Sequence, residues 1–291
     1  MAVYGRSYRR YTGELTPPKS RFLIIPRYAY ETVFQSKLFL IFFVLCFVIP
    51  FVGLLLIYLH HNVSALTMLS LPAEELKQFL PIDAEFFWRG MWFQGGLSFV
   101  MVLLLGPALV APDLRNNGLP LYLSRPFSRG EYVLGKMSVL LILLSAITWI
   151  PGMLLFLFQG YLEGGGWIAD NLSIAFAILA GSWSWILFLS LLALAVSAWV
   201  KWKPVARIAI FVLFFVTMGF GNAINEILDT WWGTLLSGWY VIGSIWSNLF
   251  GVPDGEGFLP PASAAWAALI GGCVVCLWLL SRRIRAYEVV R

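Results

Sequence analysis

Charge is what this sequence has least of. Asp, Glu, Lys and Arg together make up 12% of its 291 residues, about half the share of a soluble globular domain. With 60% of the residues apolar, so few charges cannot cover a water-facing surface, which argues against an ordinary soluble enzyme or binding domain. Histidine is nearly missing. The two present, His60 and His61, are neighbours, and neighbours on a helix point apart, so they read as interface residues rather than metal ligands. The three cysteines, Cys46, Cys273 and Cys276, lie in apolar runs with no histidine or carboxylate at ligand spacing. Packing therefore explains them better than a disulfide or a metal. No G-x-x-x-x-G-K-[ST] loop occurs, so the chain has no phosphate cradle of its own for a nucleoside triphosphate. Its first 20 residues are polar and basic, with no apolar h-region, and no cleavable signal peptide is expected.

What the chain does have is long apolar runs, and its mean hydropathy is +0.81. About 20 apolar residues cross a bilayer as a helix. Six runs reach or approach that length: Leu38–Leu59, Phe86–Ala111, Tyr132–Leu162, Leu172–Val200, Val205–Ala223 and Ala264–Leu280. Pro50 and Pro151 fall inside the first and third and should kink them. The sequence thus predicts an all-α integral membrane protein with six transmembrane helices. Residues 1–37 form a cytoplasmic tail and interfacial helix, and residues 38–291 the transmembrane domain.

The formal net charge of +5 could suggest nucleic acid, but the basic residues flank the apolar runs instead of forming a patch. No nucleic-acid partner is expected. With the N-terminus inside, 18 of the 20 basic residues fall on inner segments, and only Lys77 and Arg89 fall outside. Orientation follows this Lys/Arg bias, so both termini are expected in the cytoplasm.

Three stretches between spans carry information. Residues 21–36 (RFLIIPRYAYETVFQS) place Tyr30, Val33 and Phe34 on one helical side, with Arg27, Glu31 and Gln35 beside it. That pattern suits a helix in the membrane interface; the alternative is a disordered tail. Residues 224–262 hold Trp231, Trp232, Trp239, Tyr240 and Trp246 in a run too broken for a clear span. A re-entrant outer hairpin is expected there, with two further spans as the alternative. The loop 113–136 reads DLRNNGLPLYLSRPFSRGEYVLGK. Pro120 and Pro126 confine any helix in it to one or two turns. Ser128-x-x-Glu131 is a capping box that should start the third span near Arg129. Leu119, Leu121, Tyr122, Leu123 and Phe127 would be exposed unless a partner or the headgroups cover them.

This loop resembles the first cytoplasmic loop of the permease subunits of ABC transporters of the ABC-2 type. The resemblance lies in Asp113-Leu114-Arg115, Leu119-Pro120-Leu121-Tyr122-Leu123-Ser124-Arg125-Pro126, Ser128-Arg129, Glu131-Tyr132 and Leu134-Gly135-Lys136. The wider layout is similar to the type V exporter arrangement: interfacial helix, six spans, and a Trp-rich hairpin between spans five and six. The resemblance implies that Leu119, Pro120, Leu121, Tyr122, Leu123, Ser124, Arg125, Pro126, Phe127, Ser128 and Arg129 form a coupling helix that contacts a separate ATPase subunit. It implies that ATP and Mg bind that ATPase and no cofactor binds this chain. It also implies a second permease copy or a sister permease, in a bacterial or archaeal cytoplasmic membrane, working as an exporter. The alternative is a membrane scaffold that transmits ATPase motion to another process. An ion-coupled transporter is disfavoured because Arg89, Asp113 and Glu226 lie near span ends. Intramembrane hydrolysis would need Ser182 or Ser184 to meet His60 or His61, which nothing in the sequence requires.

Overall fold

A backbone in hydrocarbon must satisfy its own polar groups, and helices do so within one segment. The computed structural model describes residues 24–62, 81–116, 128–200, 202–253 and 259–283, and every regular element among them is helical. In chain order these are α1 (Ile24–Phe34), α2 (Lys37–Leu45), α3 (Val48–His61), α4 (Ala84–Arg115), α5 (Arg129–Ile147) and α6 (Trp149–Glu163). There follow α7 (Gly165–Asp170), α8 (Leu172–Trp199), α9 (Lys203–Leu228), a 3-10 turn at Trp232–Leu236, α10 (Gly238–Phe250) and α11 (Ala262–Arg283).

Six helical stretches among the described residues are long and apolar enough to cross a membrane: Lys37–His61, Ala84–Asp113, Arg129–Glu163, Leu172–Trp199, Lys203–Leu228 and Ala262–Arg283. Each coincides with one predicted run to within a few residues. The fifth differs most, continuing past Ala223 to Leu228. The amphipathic stretch before the first span is the helix α1, packed on α5. Ile25 and Pro26 are buried in that contact, whereas Arg27, Glu31 and Gln35 are exposed.

The first and third spans are interrupted near their middles, and proline accounts for both. Pro50 and Pro151 each occupy the third position of the second half-helix, and the breaks fall at Cys46–Phe47 and at Thr148. A proline has no N–H for the carbonyl four residues earlier, which frees the Cys46 carbonyl. The Gln94 side chain from α4 occupies it, its Nε2 donating at 3.0 Å. The same arithmetic applies inside α4, where Pro107 frees the Leu103 carbonyl. There Arg207 of α9 supplies the donor: its Nε donates to Leu103 O at 2.9 Å, and an Nη donates to Leu104 O at 3.4 Å. This corrects the sequence view of where the charges lie. Arg207 counted with the inner basic cluster, yet its guanidinium reaches a point about 7 Å along the axis from the middle of the second span. The fixed charge and the carbonyl contacts give it a packing role and no part in proton transfer.

The helix α8 is the hub, packed against α4, α5, α6, α10 and α11. Small residues permit this: a Cβ added at Gly106 would lie 2.7 Å from the Ala193 Cβ. Towards the start of α4, four indoles interlock. Trp185 and Trp246 are 0% and 1% exposed, and Trp92 and Trp239 meet them edge-on. The Trp185 Nε1 donates to Ser98 Oγ at 2.8 Å, and the Trp246 Nε1 donates to the Gly181 carbonyl at 3.0 Å. Trp246 fills the core, which its indole can do because its N–H finds a partner. The helix that carries it, α10, has 13 residues and is about 20 Å long. That is short of the hydrocarbon thickness of roughly 30 Å.

Candidate functional site

The loop that the sequence singles out leaves the bundle between α4 and α5. Leu119, Pro120, Leu121, Tyr122, Leu123, Ser124, Arg125, Pro126 and Phe127 lie outside the described residues, while Ser128 and Arg129 lie within them and are exposed. What the structure does place is the neck from which the loop rises. The capping box forms as expected: the Glu131 N–H donates to Ser128 Oγ at 3.2 Å, and the Ser128 N–H donates to Glu131 Oε2 at 2.6 Å. The helix accordingly begins at Arg129.

One turn further on, α5 is tied to the end of α4. The Tyr132 hydroxyl donates to Asp113 Oδ2 at 2.8 Å, and the Lys136 ammonium reaches the same oxygen at 2.9 Å. Tyr132 is fully buried and Lys136 is 8% exposed. In such surroundings an ion pair is held firmly, and loss of either partner is costly. Asp113, Tyr132 and Lys136 all belong to the stretches that carry the sequence resemblance, and they meet across 19 to 23 residues of chain. Sequence reasoning placed them in the motif but did not foresee that they close its base.

Around the neck, α1 lies on α5, and the Arg115 guanidinium sits 5.8 Å from the Trp202 ring at the start of α9. Buried in α1, the Tyr30 hydroxyl is pushed up to about 12 by desolvation. Across the same end of the bundle Arg283 lies over Trp199 and donates to the Ala198 carbonyl, and Arg282 lies over Trp278. The opposite end carries Asp83, Glu85, Glu163, Asp170, Glu226 and Asp229. Charge therefore separates along the bundle axis as the sequence pattern requires.

The chain matches no known family model and no curated protein. Function must come from the site.

Other candidates from the sequence sort as follows. Among the described residues no cluster of His, Cys, Asp and Glu could hold a metal, and the three cysteines are unpaired. His61 makes a contact that the sequence did not reveal, its Nε2 lying 2.8 Å from Glu163 Oε2 and tying the C-terminal ends of α3 and α6. The Ser184 hydroxyl donates to the Gly181 carbonyl within its own helix. No serine–histidine pair is assembled among the described residues. Gln94 and Arg207 were likewise missed. Their signal was the proline in the neighbouring or facing span, whose orphaned carbonyl needs a donor from elsewhere.

Proposed function

We propose that the chain is the permease subunit of an ATP-driven ABC transporter of the ABC-2 type, working as an exporter with a separate ATPase. The observation that carries this reading is the loop 113–136: its residues resemble a coupling loop, and its two feet are clamped by Asp113, Tyr132 and Lys136. A clamped neck makes a loop useful as a lever. Force applied between Pro120 and Pro126 passes directly to α4 and α5, because the feet cannot splay without separating a buried ion pair. ATP and Mg belong on the ATPase, since this sequence contains no phosphate loop.

The rest of the reading follows the same pattern. Both termini and the coupling loop lie on the basic, cytoplasmic side of a bacterial or archaeal membrane, in keeping with the segregated charge. The 3-10 turn and α10 form the re-entrant hairpin on the outer side, being too short to span. Two permeases, identical or sister chains, enclose the path. The exposed face of α9, with Ile208, Phe211, Val212, Phe215 and Phe220, is available for that pairing or for lipid.

The test is co-purification. Burying a Leu or Tyr side chain in a partner's cleft is worth roughly 1.5–3 kcal/mol. Tyr122→Asp replaces that gain with an unpaired charge in an apolar contact. An ATPase that accompanies the wild type should be lost from the variant at unchanged membrane yield. Retention of the ATPase by the variant defeats the coupling-helix assignment, and absence of any ATPase from the wild type defeats the transporter reading.

A further inference from the structure

A cleft lies away from the neck, in the other half of the bundle. It occupies about 410 Å³ between α3, α4 and α6, within the size range of small-molecule sites. Its buried polar lining residues are Gln94 and Thr148, near the two proline breaks, whereas Asp83, Glu85 and Arg89 line it where α4 begins and its surface is open. From Asp83 to Gln94 along α4 is about 16 Å by helix rise.

Two features set this cleft apart from a simple lipid-tail crevice. Gln94 is 6% exposed, and its Nε2 is committed to the Cys46 carbonyl. Its Oε1 is buried with no hydrogen-bond partner among the described residues. A buried amide oxygen without a donor is costly, and Gln94 lines the cleft, where a ligand could supply one. Thr148 cannot, because its hydroxyl already donates to the Leu144 carbonyl at 2.7 Å. At the mouth, the two carboxylates of Asp83 and Glu85 stand against the single guanidinium of Arg89, which Glu85 already engages. The same end of the bundle also carries Glu163 and Asp170. A cationic group is favoured there over an anionic one.

We infer that this cleft binds an elongated amphiphile with a cationic group at one end and a hydroxyl or amide N–H donor about a dozen carbons away. The cation sits at the Asp83–Glu85 mouth, the chain lies along α4 between the half-helices α3 and α6, and the donor meets Gln94 Oε1. Long-chain amines bearing a remote hydroxyl are the simplest members of this class. The inference concerns this chain alone and does not depend on an ATPase.

The experiment places the full chain in phosphatidylcholine nanodiscs and measures equilibrium binding of tritiated 12-aminododecan-1-ol, with empty nanodiscs as the blank. Saturable binding near one molecule per chain is expected. Dodecylamine, which lacks the hydroxyl, should bind roughly 3- to 10-fold more weakly, the worth of one hydrogen bond. The anionic analogue 12-hydroxydodecanoate should also bind more weakly than the amino alcohol. Gln94→Met should abolish the preference for the hydroxyl while leaving dodecylamine binding in place. Gly90 lines the cleft, and a Cβ there meets nothing within 4 Å. Gly90→Phe should therefore fold normally, fill the space and weaken both amines at least tenfold. Uptake no greater than in empty nanodiscs, equal affinity for the two amines in the wild type, tighter binding of the carboxylate, or unchanged binding in Gly90→Phe would each overturn the assignment.

Discussion

Removing Arg207 should destabilise the protein only while Pro107 is present. The argument is one of hydrogen-bond accounting. Pro107 lacks the N–H that would reach the Leu103 carbonyl, and Arg207 Nε donates to that carbonyl at 2.9 Å across the α4–α9 contact. A hydrogen bond from a charged donor contributes about 1.5–3 kcal/mol, and an orphaned buried acceptor costs a similar amount. Measured cycles between membrane helices run lower, averaging about 0.6 and reaching about 1.7 kcal/mol. Since the guanidinium is partly exposed, we take about 1.5 kcal/mol for Arg207→Leu, or roughly a 3 °C fall in Tm at about 2 °C per kcal/mol. Pro107→Ala restores the helical donor, so the added loss from Arg207→Leu in that background should fall below about 0.5 kcal/mol. The assay is thermal unfolding of the four proteins in one detergent, followed by tryptophan fluorescence. Additive losses in the double variant would show that Arg207 acts through something other than the proline break.

At the neck, Lys136→Met should lower stability by about 2 kcal/mol, below the usual 3–5 for a fully buried pair because Asp113 is partly exposed. Asp113→Asn in the same chain should recover most of that loss, as read by the double-mutant cycle. Gly221→Ala should loosen the 3-10 turn against α9, because its Cβ would collide with the Gly233 carbonyl oxygen and backbone must move. Limited proteolysis at residues 229–237 should then become faster, whereas Gly219→Ala, which meets open space, should behave as wild type. For Tyr30 the folded state favours the neutral phenol, so its stabilising contribution is whole below pH 10 and is lost as the pH rises towards about 12. Tyr30→Phe should remove that alkaline loss from melts recorded between pH 9 and 12.

Much of the architecture was legible in the residues because it rests on short-range rules. Span number and limits follow from run length against bilayer thickness, and they reappear as six helices with ends moved by a few residues. The start of α5 at Arg129 follows from Ser128 and Glu131, since a capping box is closed within four residues. The α1 helix follows from its one-sided apolar pattern. Residues 224–262 read as too broken for a clear span, and the helix found there, α10, has 13 residues.

What the sequence could not determine is which side chain answers a distant backbone group. Pro50 and Pro107 announce that carbonyls are freed, but only packing selects Gln94 and Arg207 as their donors, across 48 and 104 residues of chain. The neck was hidden for the same reason: Asp113 and Lys136 read as two ends of a loop, and their meeting depends on how α4 lies against α5. Trp246 read only as part of a broken run, and the glycines at 95 and 181 are what make room for its ring. The sequence by itself determined the helices and the segregation of charge, because both depend on local composition. Tertiary structure alone decided the proline satisfiers, the clamp and the cleft, because each is a contact between helices whose relative rotation no local pattern encodes.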